Sequence, residues 1–209
     1  VTEPPTAEIK RDLRRYYDTN AAARDERGEA DWRDALRTAF AAKLRDEDKR
    51  RLLEIGAGSG HSAAYFATDG FDVVATDLSP EHVEHCLAKG LHAHVADFYD
   101  LAFSDGLFDA IWAMSCLLHV PDADLPDVLG ELSRVLIPGG LLHVGLWEGP
   151  NREGPLGDDP DTGPQRFFAL RTDDHARKLF GNHFSIESFA SSEVPDHDMA
   201  YQVMLLRKP

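Results

Sequence analysis

"LLEIGAGSGHS", Leu52 to Ser62, carries glycine at positions 56, 58 and 60, directly after an apolar run and just beyond Glu54. Glycine costs backbone entropy wherever it is ordered, so a repeated glycine marks a turn that needs left-handed backbone or a close approach. A short apolar run entering such a turn, with "HSAAYFATDG" after it as a helix stopped by Gly70, reads as strand, glycine turn and helix.

The same alternation continues downstream. "FDVVAT" (71–76) is a β-branched strand, and "DLSPEHVEHCLAKG" follows with Ser79 as N-cap, Pro80 in the first turn and Gly90 as the stop. "LHAHVA" (91–96) and "LFDAIWAM" (107–114) read as strands. Leu125, Val128, Leu129, Leu132, Val135 and Leu136 then line one face of a helix that Asp124 is placed to cap. "PGG" (138–140) breaks the chain before the strand "LLHVGLWEG", and "TDDHARKLFG" is a short helix. "FSIESFA" and "AYQVMLLR" close the chain as strands. Their connection is too short for a crossover, so at least one runs antiparallel. Residues 149–166, rich in Gly, Pro and Asp, read as a long loop. Upstream, helices are expected over 7–17 and about 31–45, with a polar, partly helical link between them. Strands alternating with helices give an α/β fold, a doubly wound, largely parallel sheet.

Composition narrows the function. A chain of 209 residues suits one domain. The net charge is −15, and all the excess acid lies beyond residue 50; residues 1–50 carry 12 basic and 12 acidic residues. Nucleic acid is therefore not an expected partner, since binding to phosphate backbones rests on clustered Lys and Arg. No run approaches the ~20 apolar residues of a membrane span, and no secretory leader is visible, so a cytoplasmic location is expected. Two cysteines, Cys86 and Cys116, do not make a disulfide framework.

In such folds the ligand lies beyond the C-terminal ends of the strands. A dinucleotide fingerprint would need glycine or alanine at position 61, where histidine stands, and no Tyr-x-x-x-Lys pair follows the fourth strand, which disfavours a nicotinamide oxidoreductase. The pattern from Glu54 to Gly60, E-x-G-x-G-x-G, instead resembles the first motif of class I S-adenosylmethionine-dependent methyltransferases. "VVATDLS", "HVADFYD", "FDAIWAMSCLLHVPD" and "LSRVLIPGGLLHV" follow in the family's order, so the resemblance covers about residues 50–147.

The resemblance implies a Rossmann-like sheet of order 3-2-1-4-5-7-6, its last strand antiparallel, with an N-terminal helical cap. It implies one methyltransferase domain over 1–209: a cap (1–48), a cofactor-binding core (50–147), and a substrate loop with C-terminal strands (148–209). S-adenosylmethionine is the implied cofactor. Glu54, Gly56, Ala57, Gly58 and Gly60 would border its amino-acid end, and Asp77 its ribose. Leu78, Asp97 and Phe98 would surround the adenine. Met114 would adjoin the methionine end, over which Tyr17 of the cap would close. The implied partner is a small-molecule methyl acceptor. A sulfonium is already an activated donor, so a base is needed only for a protonated acceptor of high pKa; His119, just after the fourth strand, is the candidate.

No metal is expected, because no carboxylate directly follows the fourth strand, where metal-dependent relatives place one. His82, His85, His92 and His94 are read as surface histidines, and Cys116 as a small loop residue. The acids Glu148, Glu153, Asp158, Asp159 and Asp161 are read as a solvated loop face. A non-catalytic binding module that keeps the cofactor pocket is the alternative reading.

Overall fold

The computed structural model describes residues 6–28, 32–156, 166–195 and 197–209. Five parallel strands build the centre: β1 (Arg51–Ile55), β2 (Asp72–Asp77), β3 (His92–Val95), β4 (Phe108–Met114) and β5 (Leu136–Trp147). β8 (Ser185–Glu193) and β9 (Ala200–Arg207) complete the sheet, in the order β3-β2-β1-β4-β5-β9-β8. β9 is antiparallel to both neighbours. With the separate two-stranded ribbon of β6 (Arg152–Leu156) and β7 (Arg166–Leu170) set aside, this is the expected order 3-2-1-4-5-7-6.

The central strands are apolar on both faces because helices cover both. On one side α5 (Leu125–Val135) and α6 (Asp173–Gly181) press Leu129, Leu132 and Phe180 against Leu53, Ile111 and Leu142. On the other, α2 (Trp32–Asp46), α3 (His61–Thr68) and α4 (Pro80–Ala88) pack Phe40, Phe66 and Val83 against Leu52, Val73 and Trp112. Among the described residues no helix is long and apolar enough to cross a membrane.

The partly helical link after residue 17 continues the first helix, so α1 runs unbroken from Thr6 to Arg27, and three other expectations are corrected. The run of three alanines at 21–23 favours helix, and Ala21 is buried. The segment 149–166 is not only loop. β6 (Arg152–Leu156) pairs antiparallel with β7 (Arg166–Leu170), a ribbon whose Gly and Pro obscured it; Asp158, Asp159 and Asp161 lie outside the described residues. Asp124 stands at the start of α5 without capping it, because its Oδ2 accepts from Thr6 Oγ1 (2.6 Å) and Tyr99 Oη (3.1 Å). His82 and Cys86 are not on the surface. Both are 1% exposed, on the side of α4 that meets the glycine turn. His92 and His94, on edge strand β3, are exposed.

Candidate active site

The glycine turn leaves β1 at the C-terminal edge of the sheet. All three glycines have left-handed backbone, φ 59° at Gly56, 55° at Gly58 and 79° at Gly60. Their surroundings differ. A Cβ on Gly56 would lie 2.4 Å from Cys116 Cβ, and one on Gly60 would lie 2.7 Å from both Cys86 Sγ and Leu91 Cδ1. A Cβ on Gly58 would meet nothing within 4 Å. Two glycines are thus required by the protein's own packing. Of the three, only Gly58 would point a Cβ into open space, and it lines a cavity of about 600 Å³, within the ~300–1,000 Å³ of small-molecule sites.

Asp77, at the end of β2, fixes this turn. Its Oδ2 accepts from the Gly58 amide (2.8 Å) and its Oδ1 from the Ser79 amide (2.9 Å). Burial pushes its carboxyl up, against the pull of those amides. Each oxygen keeps lone-pair capacity after one such bond, and the carboxylate lines the cavity. A vicinal diol fits that capacity.

The structure brings most of the expected residues together. Glu54, Gly56, Ala57 and Gly58 line the cavity at the end of β1, and Asp77 and Leu78 at the end of β2. Phe98 and Met114 line it from beyond β3 and β4, and Tyr17 and His119 from above. Gly60 and Asp97 do not line it. Gly60 is the left-handed residue that starts α3. Asp97 Oδ2 is paired with Lys10 Nζ at 2.7 Å, and its Oδ1 accepts from the Tyr99 amide.

The cap lies over the strand ends. Asp18 Oδ1 accepts from Ser79 Oγ at 2.6 Å, and Lys89 Nζ donates to Asp25 at 2.6 Å. Ile9 and Leu13 pack on Phe167 and Ala169 of β7, so α1 and the β6–β7 ribbon share a small apolar core.

His119 sits where these parts meet, in a short 3-10 turn, Leu117–His119. The Phe167 carbonyl, 2.6 Å from Nδ1, can only accept, so Nδ1 carries the hydrogen. Nε2 is then the acceptor for the Tyr17 hydroxyl at 2.7 Å. Burial first, and the Arg166 and Arg24 charges further, push His119 down to about 3. The imidazole is therefore neutral at pH 7, and its one lone pair is already used.

Two residues were not legible in the sequence. Arg171, 1% exposed, donates from Nε to Asp122 Oδ1 (2.7 Å) and from Nη2 to the Val120 carbonyl (2.7 Å), holding the loop that carries His119. Only the bare "LRTDD" hints at it, since nothing local shows an arginine turning inward. His82 Nδ1 bonds Ser59 Oγ at 3.1 Å, while its buried Nε2, in a side chain lining the cavity, has no hydrogen-bond partner among the described residues. Burial pushes this imidazole down to about 4. Ser59 inside the glycine motif was the available signal.

With this geometry in place, residues 53–144 match the family model described as "Methyltransferase domain". The chain is 36% identical over 140 residues to the 27-O-demethylrifamycin SV methyltransferase of Amycolatopsis mediterranei, covering 62% of this chain and 48% of that protein. It is 37% identical over 116 residues to a ubiquinone biosynthesis O-methyltransferase of Xanthomonas oryzae pv. oryzae, covering 52% and 48%. The chain thus spans about half the length of these curated relatives. In fold it is similar to the 1,6-didemethyltoxoflavin-N1-methyltransferase of Burkholderia thailandensis, a structure with bound 1,6-didemethyltoxoflavin and S-adenosylhomocysteine. The TM-score is 0.74 at 24% identity, covering 100% of this chain and 93% of that one.

Proposed function

We propose that the protein binds S-adenosylmethionine in the cavity beneath α1 and transfers its methyl group to a small-molecule acceptor. The observation that carries this is the pairing of Gly58 with Asp77: an open left-handed glycine whose amide is held by a carboxylate that still faces the cavity. The bound cofactor supplies an activated methyl group on a sulfonium.

The protein's own contribution is then alignment and exclusion of water. Gly58 lets the backbone approach the amino-acid end, and Glu54 and Asp77 put negative charge beneath the positive centre. Asp77 takes the ribose hydroxyls and Phe98 lies beside the base. Tyr17 and α1 close the cavity from above. His119 is not a general base in this arrangement. Its lone pair is committed to Tyr17, and an imidazole held near 3 is a poor proton acceptor from a hydroxyl at neutral pH. We assign it the role of positioning Tyr17 against the β6–β7 ribbon.

Calorimetric titration with S-adenosylhomocysteine, with NAD as the control, tests the cofactor. Saturable binding of the first and none of the second is expected, and the reverse overturns the reading. Methylated product formed from a panel of small acceptors separates an enzyme from a binding module.

A further inference from the structure

The cavity is polarised. Its carboxylates, Glu54 and Asp77, lie at the ends of β1 and β2, in the floor. Four arginines line it from other elements: Arg24 and Arg27 in α1, Arg33 in α2 and Arg166 in β7. Arg24, Arg27 and Arg166, on the cap and the ribbon packed against it, form a basic roof in a chain of net charge −15, while Arg33 donates to Ser115 Oγ at the end of β4; the overall composition does not account for this basic side.

Arg24 and Arg166 matter most. The Arg24 guanidinium lies 5.2 Å from the Tyr17 ring centre, and Arg166 lies 4.9 Å from Phe168 and 4.6 Å from Tyr16. Neither forms an ion pair with a carboxylate among the described residues; both lie over aromatic rings instead. A guanidinium held over a ring keeps its charge and its planar fork of donors, which matches planar anions. The acceptor side also holds Trp32 and Trp147, 4.8 and 4.9 Å from the Tyr201 ring.

We propose that the acceptor is an aromatic compound carrying a negative charge, held with its ring among these aromatic walls and its anionic group between Arg24 and Arg166. The inference rests on the methyltransferase reading above. A negative floor suits a cationic methyl donor, and a positive roof suits an anionic acceptor, so each ligand is drawn to its own side of the cavity.

The test uses para-hydroxybenzoate as probe and tyramine as its cationic counterpart, each titrated into the full chain saturated with S-adenosylhomocysteine. Para-hydroxybenzoate should bind at least about tenfold more tightly than tyramine. Arg166→Met and, separately, Arg24→Met should each weaken it about tenfold, leaving S-adenosylhomocysteine affinity within about twofold of wild type. Equal or tighter binding of tyramine, or no binding of para-hydroxybenzoate, overturns the proposal. So do arginine variants that lose S-adenosylhomocysteine affinity instead, since those guanidiniums would then serve the cofactor. If the wild-type protein fails to bind S-adenosylhomocysteine at all, the methyltransferase reading falls first, and this inference with it.

Discussion

The Tyr17 hydroxyl donates to His119 Nε2 across 2.7 Å, and the same imidazole donates from Nδ1 to the Phe167 carbonyl across 2.6 Å. One ring thus joins the N-terminal helix, the loop after β4 and the β6–β7 ribbon. Removing the phenol leaves a buried acceptor unsatisfied, at a cost of ~1–3 kcal/mol. Tyr17→Phe should lose about that much stability in urea unfolding. In Tyr17→Phe/His119→Leu the two losses should fall short of additive, because the shared bond is lost only once. Additive losses would mean that the two residues are energetically independent.

The three glycines should separate in mutagenesis. Gly56→Ala sets a Cβ against Cys116, in backbone an L-residue already disfavours, so its main effect is a lower melting temperature. A Cβ at Gly58 meets no atom within 4 Å; Gly58→Val should remain folded, at a cost of ~1–3 kcal/mol for the left-handed backbone, and lose S-adenosylhomocysteine binding. Thermal melts beside calorimetry read the two effects apart. A Gly58→Val protein with wild-type affinity would show that this turn never touches the ligand.

Asp77→Ala should reduce S-adenosylhomocysteine affinity by about 10- to 150-fold, the equivalent of charge-assisted bonds worth ~1.5–3 kcal/mol. It should also cost stability, because the Gly58 and Ser79 amides lose their acceptor. A folded variant with unchanged affinity excludes Asp77 from the ribose site.

Acid should destabilise the fold through its buried imidazoles. His143, between Trp112 and Phe40, is pushed down to about 3 by burial alone, as His119 is to about 3 and His82 to about 4. In the unfolded chain these groups bind protons below about pH 6.5. Between there and their folded values the unfolded state therefore holds more protons, and stability falls as pH falls, by ~1.4 kcal/mol per pH unit for each group. His143→Phe should flatten the profile between about pH 6 and 4 by one such increment, measured by denaturant unfolding at several pH values. An unchanged slope would show that His143 titrates normally in the fold.

Deleting residues 1–27 should lower both stability and cofactor affinity. The helix buries Ile9, Leu13 and Ala21, and also ties Lys10 to Asp97 and Asp18 to Ser79 beside the cavity. Circular dichroism should show the sheet intact. A folded truncation that binds S-adenosylhomocysteine at full strength would leave α1 no part in the site.

How much was legible follows from how far apart the interacting residues lie. The turn from Glu54 to Gly60, Ser79 at the head of α4 and the apolar face of α5 are local patterns, each contained in one element. What escaped needed distant partners. Arg171 turns inward because Asp122 and two carbonyls after β4 await it. His82 is buried because Ser59 and α1 lie over its side of α4. The β6–β7 ribbon reads as loop because Gly154 and Pro155 mask its alternation, and its pairing is visible only from Phe167 and Phe168 opposite them. The glycine motif itself was half read: Cys116, Cys86 and Leu91, rather than a ligand, explain two of its three glycines.

The ribbon's attachments bear on how such a protein could be re-engineered. The β6–β7 segment, with Arg171 just past its end, meets the loop after β4 at Glu153, which accepts from the Asp122 amide, and at two further points that differ in kind. At Phe167 the contact is a main-chain carbonyl, which any residue other in sequence but alike in backbone supplies. At Arg171 it is a guanidinium whose geometry no other side chain reproduces. The segment therefore has the character of an exchangeable cassette with one keyed end. A graft that alters the ribbon while retaining arginine at 171 keeps the loop and His119 in register. A graft that discards it leaves Asp122 paired with His175 alone and strands the Leu117 and Val120 carbonyls, and is expected to fail in folding before its selectivity could be measured.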